Sequence, residues 1–349
     1  MYVGLIAPPW IPVPPPAYGG TEMVVDLLAR GLQDAGHDVL LAAASDSTCP
    51  VPHAPGMRVS DYGSLNEMIS ALTHAVTAYE ALHDVDVIHD HTLAGPLYLG
   101  RPEAVPVVVT NHGPFIRDTL PIFRAMAADA SLVAVSRNQA SYAFGCSIAR
   151  VIHHGIDLER IPVGAGTGGF AAFLGRMTPE KGVAQALRIA REAGVPLQIA
   201  AKMREPAERA YFDAEVRPLL TREHVYIGEV SDAEKYEFLG DAFALLNPIE
   251  WSEPFGLAMV ESLAAGTPVV ATPLGSVPEI VRPNLNGYLG LADELPGLLP
   301  EADRIDRAAC RADVEARFSA KRMVEDHLRL YTDLLNHGLA PSSVKDLPA

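Results

Sequence analysis

The chain has 349 residues, of which 49% are hydrophobic and 20% charged, and this length and usage predict a globular protein with two domains. Acidic residues outnumber Lys and Arg by 43 to 27, and the formal net charge of −16 argues against a nucleic-acid partner and against stable attachment to an anionic membrane. Three widely separated cysteines predict neither a disulfide framework nor a zinc site built on cysteine.

The N-terminal stretch lacks the features of a signal peptide. No basic residue leads into it, and prolines between Pro8 and Pro16 interrupt its apolar residues. No apolar run along the chain approaches the roughly 20 residues that a membrane span needs. We therefore expect a cytoplasmic protein, and its oligomeric state stays open.

Short apolar strands alternate with amphipathic helices through the first half of the chain. Strands are predicted at residues 2–7, 39–44, 86–89, 105–110, 132–136 and 150–153, and helices at residues 21–35 and 65–82. Strands that are apolar throughout and separated by helices indicate a parallel sheet covered on both faces.

A stretch rich in Pro and Gly, residues 162–169, interrupts this alternation and is interpreted as an interdomain linker. Beyond it, strands are predicted at residues 170–174, 197–201, 225–227, 243–246 and 269–271, helices at residues 182–193, 232–241, 255–265 and about 320–337, and a frayed tail at residues 341–349. The sequence thus predicts an α/β protein with two Rossmann-like, doubly wound domains, residues 1–160 and 170–319, facing one another across a ligand-binding cleft.

Three motifs carry little functional information. Residues 164–169 match G-x-G-x-x-G but lead into a strand, so they are not interpreted as a dinucleotide fingerprint. Asp84 and Asp86 form a D-x-D at the start of a strand and are interpreted as a polar lead-in. His89 and His91 share one face of a strand, and a metal site, a structural role and a polar cleft wall all remain open for them.

Four segments carry anion-binding or polar groups near strand ends. In the first, Gly19 and Gly20 precede a helix whose N-terminus attracts an anion. In the second, Arg176 and Lys181 follow the first strand of the second half and form a local anion trap in an acidic protein. In the third, His112 stands at the carboxyl end of a strand, from which it can reach a ligand.

The fourth segment contains two carboxylates eight residues apart, Glu253 and Glu261. Pro254 favours an extended conformation at Glu253, which is therefore expected in a loop, with Glu261 on the following helix. Eight helical residues span about 12 Å, more than the roughly 5–9.5 Å between glycosidase carboxylates, so the two acids are expected to face different parts of an elongated ligand. Backbone N–H groups at the helix start offer a second anion cradle, and they belong to Phe255, Gly256 and Leu257.

These segments resemble the retaining GT-B glycosyltransferases of family 4, the glycogen-synthase-like nucleotide-sugar transferases. The most specific part of the resemblance is the E-x7-E element combined with the Arg-x4-Lys loop. Further matches are Val135-Ser136, residues 152–157, 265–272 and 275–281, and Asn286-Gly287. The resemblance implies the GT-B fold, with an acceptor-side first domain, a donor-binding second domain and a last helix that crosses back onto the first domain.

The resemblance also implies the catalytic groups. Arg176 and Lys181 would bind the donor diphosphate and stabilise the departing nucleotide. Glu253 would hold the hydroxyls of the donor sugar, and His112 would line the sugar site.

Further binding roles follow from the same resemblance. Glu261 would accept hydrogen bonds from the ribose hydroxyls. The backbone around the sugar and phosphate would be that of Phe255, Gly256 and Leu257, and the segment near the base would be Gly228, Glu229 and Val230.

Catalysis in the resembled family is metal-independent and retaining, with front-side attack beside the leaving phosphate. The sequence therefore predicts transfer of a hexose from a nucleotide diphosphate sugar, preferably UDP-linked, to an unidentified hydroxyl acceptor, with no cofactor or metal required. The alternatives are a nucleotide-sugar epimerase or phosphorylase of the GT-B type, and a nucleotide-sugar-binding protein without turnover.

Two places depart from the family pattern. His153-His154-Gly155 stands where the family has Pro-Asn-Gly, so the role of that Asn is not carried over to His154. The segment that ends at Lys202 lacks the usual Gly-rich turn, which makes Lys202 a candidate for an extra phosphate contact.

The acceptor is expected on the first domain, near His91, His112 and residues 8–18. The charged residues of the first predicted helix are Glu22, Asp26, Arg30 and Asp34. Because membrane-associated relatives tend to show a basic surface there, this acidic helix favours a soluble acceptor.

Overall fold

The computed structural model describes residues 1–17, 19–64 and 67–337, and the chain forms two compact units. One unit contains Met1–Gly155 together with the chain from Ala320 onward, and the other contains Ile156–Ser319. The tail predicted at residues 341–349 and the first two residues of the helix predicted at 65–82 lie outside the described residues.

The first unit is built on a parallel six-stranded sheet. Its strands are β1 (Tyr2–Ile6), β2 (Asp38–Ala42), β3 (Val87–Asp90), β4 (Val107–Asn111), β5 (Ser131–Ala134) and β6 (Ile148–Val151). Their order is β2-β1-β3-β4-β5-β6. Every residue of β3, β4 and β5 is buried, as expected of apolar strands covered on both faces.

Helices cover this sheet, and apolar side chains fill the space between the two layers. The helices that precede the second unit are α1 (Gly20–Asp34), α2 (Met68–Ala81), α3 (Leu120–Met126) and α4 (Arg137–Ser141). The core under α2 and α3 includes Tyr79, Leu82, Ile88, Val109, Met126 and Leu132. Burial of each such side chain stabilises the fold by about 1.5–3 kcal/mol.

The second unit repeats the architecture with another parallel six-stranded sheet. Its strands are β7 (Ala171–Arg176), β8 (Leu197–Lys202), β9 (His224–Gly228), β10 (Ala244–Asn247), β11 (Val269–Ala271) and β12 (Gly287–Leu289), in the order β12-β11-β10-β7-β8-β9. Its helices are α5 (Val183–Ala193), α6 (Pro206–Tyr211), α7 (Asp232–Asp241), α8 (Leu257–Ala264), α9 (Val277–Ile280), α10 (Leu295–Leu298) and α11 (Arg307–Arg317).

The last helix, α12 (Ala320–His337), belongs to the first unit and packs against α1. A Cβ on Gly31 of α1 would clash with the side chain of Val324, so the glycine lets the two helices approach closely. Tyr331 of α12 is fully buried, and its hydroxyl lies 2.6 Å from Nδ1 of His89. These two side chains are 242 residues apart in the chain. The helix therefore completes the core of a unit whose strands all lie far earlier in the sequence.

The predicted linker, residues 162–169, is an ordered segment of the second unit. The N–H of Gly166 donates to the carbonyl of Gly240 at 3.0 Å, and Nε of Arg307 donates to the carbonyl of Gly164 at 2.8 Å. These hydrogen bonds tie the segment to the unit that follows it.

The structure contains elements that the sequence patterns do not predict. The strand β12 has three residues, too few for a periodic signal. The helix α11 buries Cys310, Asp313 and Val314, so its inner face carries little apolar character. The helix predicted at residues 255–265 begins only at Leu257, because Gly256 adopts a left-handed conformation with φ of 92°.

Within the described ranges, none of the helices combines the length and the apolar character that crossing a bilayer would require.

Two left-handed glycines at the ends of α5 provide a matched test of local packing. Gly182 has φ of 75° and a Cβ there would clash with the carbonyl of Pro248, whereas Gly194 has φ of 67° and open space around it. We expect Gly182→Ala to lower the free energy of unfolding of the second unit by about 2–5 kcal/mol and Gly194→Ala by about 1–2 kcal/mol.

Urea unfolding followed by fluorescence measures this difference. The chain has two tryptophans, and a Trp10→Phe background leaves Trp251 as the reporter of the second unit. Equal losses for the two substitutions would contradict the close approach at Gly182.

Candidate functional site

Two cations stand side by side at the carboxyl ends of neighbouring central strands of the second unit. Arg176 is the last residue of β7, Lys202 is the last residue of β8, and the two are register partners in the sheet. The side chain of Arg176 is 32% exposed, whereas that of Lys202 is 3% exposed. Lys202, which was only a candidate for an extra phosphate contact in the sequence, therefore belongs to the same cluster as Arg176.

Two carboxylates from the start of α6 neutralise these cations. Oε1 of Glu208 accepts hydrogen bonds from Nε and Nη2 of Arg176 at 3.1 and 3.0 Å, and Oε1 of Glu205 accepts one from Nη2 at 3.0 Å. Nζ of Lys202 lies 3.5 Å from Glu205 and 3.8 Å from Glu208. We call Arg176, Lys202, Glu205 and Glu208 the β7–β8 charge cluster. The two carboxylates are absent from the sequence-based site, although the E-P-x-E pattern at 205–208 is typical of a helix start.

Glu208 is the fixed member of this cluster. Its side chain is 1% exposed, and its Oε2 accepts the N–H groups of Arg204 at 2.7 Å and Glu205 at 3.0 Å. Burial alone would raise the pKa of Glu208, but these N–H groups, the Arg176 guanidinium and the charge of Lys202 together lower it. Glu208 is therefore an ionised carboxylate, hydrogen-bonded to Arg176, at neutral pH.

Lys181 and Glu253, predicted to bind phosphate and sugar, form an ion pair with each other. Trp251 Nε1 donates to Oε2 of Glu253 at 3.0 Å, and Nζ of Lys181 lies 5.0 Å from the centre of the Trp251 ring. Trp251 is a partner that the motif analysis did not identify. The three side chains fix each other at the carboxyl end of β10 and in the turn after β7.

The backbone of the loop around Glu253 is held by the segment that begins α9. Gly275 has φ of 61°, and a Cβ there would clash with the backbone N and O of Glu253. The N–H of Ser276 donates to the carbonyl of Glu253 at 2.9 Å, and its hydroxyl donates to the carbonyl of Phe255. The close approach explains why glycine and serine stand at these two positions.

Glu261 lies on α8 and is bound by a lysine from α7. Nζ of Lys235 is 2.7 Å from Oε1 of Glu261 and 2.9 Å from Oδ1 of Asp232. Burial alone would lower the pKa of Lys235, but Glu261, Tyr236 and Asp232 raise it. Glu261 is thus an oriented carboxylate, and Lys235 is a partner that the sequence analysis did not identify.

The remaining predicted positions of the second unit lie at the same edge of its sheet. Gly228 ends β9 with φ of 97°, and Val230 is half-buried two residues later. Glu229 forms a two-point ion pair with Arg204, with N–O distances of 3.0 and 2.6 Å. Gly256 precedes the first residue of α8, Leu257, and the ring of Phe255 is buried.

In the first unit, the predicted anion-binding glycines stand at the start of α1. Gly19 precedes the helix in an extended conformation, with φ of 173°, and Gly20 is the first helical residue. A Cβ on Gly19 would lie 2.6 Å from Cβ of Pro15, which explains the glycine without reference to a ligand. Tyr18, which precedes them, lies outside the described residues.

The prediction that α1 presents an acidic surface is wrong for two of its three carboxylates. Glu22 and Asp26 are buried, and Asp26 accepts hydrogen bonds from Nε and Nη2 of Arg30 at 2.9 and 2.7 Å. Burial raises the pKa of Glu22 to about 7, although a backbone hydrogen bond opposes the rise. These two residues therefore give no support to the preference for a soluble acceptor.

Five imidazoles meet at the carboxyl edge of the first sheet, and we call them the histidine cluster. They are His89, His91, His112, His154 and His327. Nδ1 of His91 lies 2.8 Å from Nε2 of His112, and the rings of His112 and His154 stack with centroids 5.0 Å apart. The structure thus places His154, where the chain departs from the family pattern, directly on His112.

The two ring nitrogens of His89 are both within hydrogen-bond distance of hydroxyls, Tyr331 at 2.6 Å and Thr110 at 2.7 Å. This pairing favours a structural role for His89 over a metal site or a polar cleft wall, the other two interpretations of the sequence. In residues 1–17, 19–64 and 67–337, no group of three or more His, Cys, Asp or Glu side chains has an arrangement that could hold a metal ion.

Burial keeps the histidine cluster uncharged near neutral pH. Burial and the nearby His327 lower the pKa of His112 to about 3. Burial lowers the pKa of His327 to about 4, helped by Arg322 and opposed by hydrogen bonding to Met323 and by Asp326. His112 therefore offers hydrogen bonds rather than a charge to whatever lies beside it.

The chain is similar in sequence to glycosyltransferases. The family model described as Glycosyltransferase Family 4 matches residues 18–160, and that described as Glycosyl transferases group 1 matches residues 159–293. The phosphatidyl-myo-inositol mannosyltransferase of Mycolicibacterium smegmatis is 28% identical over 342 residues, which cover 85% of this chain and 83% of the relative.

Two solved structures are similar along nearly the whole chain. AviGT4, a glycosyltransferase involved in avilamycin A biosynthesis, has a TM-score of 0.73 and 27% identity, covering 96% of this chain and 98% of that one. HepE of Anabaena, in complex with UDP and glucose, has a TM-score of 0.73 and 17% identity, covering 95% and 99%. These likenesses and the two parallel six-stranded sheets define a glycosyltransferase with the two-domain GT-B fold. The chain belongs to family 4 of these enzymes.

The histidine cluster predicts acid sensitivity of the first unit. The ordinary pKa of a histidine is about 6.5, so between pH 6.5 and 4 the unfolded chain binds more protons than the native one. The free energy of unfolding should therefore decrease as the pH is lowered from 6.5 to 4, by about 1.4 kcal/mol per pH unit for each histidine that stays neutral in the native state. Asp90 and Glu22 oppose two of them, because burial raises the pKa of each carboxyl to about 7.

Urea unfolding at pH 7, 6, 5 and 4 tests this expectation, with Trp10 as reporter in a Trp251→Phe background. In the part of the chain that the structure describes, Nε2 of His327 is buried without a hydrogen-bond partner, so His327→Gln removes one titrating group. The variant should show a shallower dependence than the parent. A free energy that does not change between pH 6.5 and 4 would contradict the neutral cluster.

Proposed function

We propose that this enzyme transfers a hexose from a UDP-linked donor to a hydroxyl acceptor, with retention of configuration at the anomeric carbon and without a metal ion. The observation that carries the proposal is the arrangement at the carboxyl edge of the second sheet. There, two phosphate-binding candidates, Arg176 and Lys181, lie with two oriented carboxylates, Glu253 and Glu261. Cations suit a diphosphate, and carboxylates suit the hydroxyls of a sugar and a ribose.

Charge stabilisation of the leaving nucleotide is the main catalytic contribution in this proposal. Arg176 offers a planar fork of donors and Lys181 a point charge, and together they would compensate the charge that develops on the diphosphate. This compensation takes the place of a metal ion in the proposed reaction.

Glu253 and Glu261 would bind different parts of the donor. Lys181 and Trp251 orient Glu253 in its loop, where it would accept hydrogen bonds from the sugar hydroxyls. Lys235 orients Glu261 on α8, where it would accept hydrogen bonds from the ribose. Because each acid is bound to a different lysine on a different element, they are not arranged to work as an acid–nucleophile pair. This supports attack on the same face as the leaving phosphate, which preserves the anomeric configuration.

The surrounding positions complete the proposed donor site. The backbone N–H groups of residues 255–257 would lie around the phosphate and sugar, and residues 228–230 near the base. His112 would line the sugar site as a neutral hydrogen-bonding group, and Gly19 and Gly20 would border the donor phosphates from the start of α1. The bound UDP and glucose of HepE support the choice of a UDP-linked hexose.

A thermal-shift panel tests the donor site. The ligands are UDP, GDP, ADP and their glucose conjugates, and a ligand at 100 times its Kd adds about 2.7 kcal/mol of stability. Each kcal/mol moves the midpoint by roughly 2–4 °C in domains of this size, so a shift of about 5–10 °C is expected with UDP. Arg176→Ala should lose at least 1.5–3 kcal/mol of this binding, the value of a hydrogen bond to a charged group.

Two further variants make the test specific. Lys181→Ala should also lose the shift, and it leaves the β7–β8 charge cluster intact. Arg304→Ala is the control, because Arg304 is an exposed residue of the same unit and its ion pair with Glu301 lies at the surface. If both Arg176→Ala and Lys181→Ala show the same thermal shift with UDP as the parent, the assignment of the donor site is wrong.

Product analysis separates transfer from the alternatives. A transferase consumes UDP-glucose only when a hydroxyl acceptor receives the sugar, whereas an epimerase converts the nucleotide sugar with no acceptor. A shift with UDP and no conversion under either condition would favour a binding protein without turnover.

A further inference from the structure

The two carboxylates of the β7–β8 charge cluster differ in burial and in how many backbone groups hold them. Glu208 is 1% exposed and is held by two backbone N–H groups as well as by Arg176. The side chain of Glu205, the N-cap residue of α6, is 39% exposed and accepts one backbone N–H, that of Glu208. A side chain at the surface can rotate into water at little cost, whereas a buried carboxylate cannot leave its cations without a large desolvation penalty.

Glu205 is also the carboxylate that bridges the two cations. Its Oε1 lies 3.0 Å from Nη2 of Arg176 and 3.5 Å from Nζ of Lys202. An oxygen that carries negative charge between a guanidinium and an ammonium has the surroundings that a phosphate oxygen would take. A diphosphate that binds Arg176 must therefore share this position with Glu205 or displace it.

We propose that Glu205 is a built-in competitor of the donor diphosphate. Its carboxylate occupies Arg176 and Lys202 in the ligand-free enzyme, gives way to phosphate oxygens when the donor binds, and returns when the nucleotide leaves. Lys202 then becomes a third cation for the diphosphate, next to Arg176 and Lys181. The inference rests on the proposed role of Arg176 in donor binding.

The charges of the cluster show what this exchange achieves. With Glu205 in place, two cations face two anions, and the buried Lys202 is never left without a counter-charge. With the diphosphate in place, its oxygens take over the role of Glu205 while Glu208 remains. A carboxylate that competes for the same cations weakens the binding of donor and product alike, and it thereby speeds release of the nucleoside diphosphate after transfer.

The substitution Glu205→Gln removes the competing charge and keeps the shape of the side chain. Its amide oxygen can still accept a hydrogen bond at the start of α6. We expect it to lower the Kd of the nucleoside diphosphate about two- to fivefold, the range that corresponds to the loss of one partly exposed ion pair. Nucleotide dissociation should slow by a similar factor, so that KM for the donor and kcat both fall if product release limits turnover.

Calorimetric titration of the full chain with UDP, GDP and ADP measures the Kd, and stopped-flow displacement measures dissociation. Glu301→Gln is the matched control, since it removes one carboxylate from an exposed ion pair with Arg304 in the same unit. It should leave both quantities unchanged. Unchanged affinity in Glu205→Gln would show that Glu205 is only a structural partner of Arg176, and weaker affinity would show that it supports binding; either result overturns the inference.

Arg176→Ala distinguishes this inference from the proposed function. If Arg176→Ala loses nucleotide binding and Glu205→Gln does not tighten it, the donor site is correct and the inference about Glu205 is wrong. If Arg176→Ala and Lys181→Ala both bind as the parent does, the donor site itself is wrong. If none of the three nucleotides binds the parent or Glu205→Gln, both proposals are wrong.

Discussion

Parallel pairing of β7 with β8 brings the side chain of Arg176 beside that of Lys202, and two cations this close repel one another unless carboxylates lie between them. The start of α6 meets this constraint. Glu205 and Glu208, three residues apart on its first turn, face both cations, and their side chains and backbone N–H groups also satisfy the helix start. Charge pairing and helix capping thus depend on the same two carboxylates, so the position of α6 in the unit and the arrangement of charges at this edge of the sheet are set together.

The fold was predictable because its strands are apolar throughout. Runs such as residues 105–110 and 132–136 have no polar alternation, and only a parallel sheet covered on both faces buries them fully. The patterns failed where an element is short or where its buried face is polar. β12 has three residues, and α11 turns Asp313 inward to meet Arg282 and Arg317, which hides its period from an apolar count.

The positions of the candidate site were predictable to a large extent, but their partners were not. Motif spacing placed Lys181 and Glu253 near strand ends, yet their ion pair joins residues 72 positions apart, and only the order of strands brings them together. Glu261 and Lys235 are 26 positions apart, on neighbouring helices. Burial of a charge is equally invisible to composition. Glu22 looks like an exposed carboxylate on a helical surface, and it is buried because α1 turns that face towards the protein.

The histidine cluster joins strand ends and the last helix into one polar interior. His89 lies in β3, His91, His112 and His154 follow β3, β4 and β6, and His327 and Tyr331 come from α12. Aliphatic side chains would fill the same space, but the imidazoles also form hydrogen bonds without carrying charge, between His91 and His112 and between His89 and two hydroxyls. The interior of the first unit thus contains polar groups where the acceptor is expected, near His91 and His112. Because these groups are uncharged, they can be buried.

The first unit is assembled from both ends of the chain, since Met1–Gly155 and α12 together form it while Ile156–Ser319 lies between them in sequence. This arrangement has a consequence for synthesis on the ribosome, where domains generally fold as they emerge. The inserted unit is complete in the nascent chain before Tyr331 exists, whereas the earlier strands must wait with His89 and the neighbouring imidazoles uncovered. The N-terminal part of the polypeptide therefore finishes folding last, and the surface that α12 will cover is the one that chaperones would meet during translation.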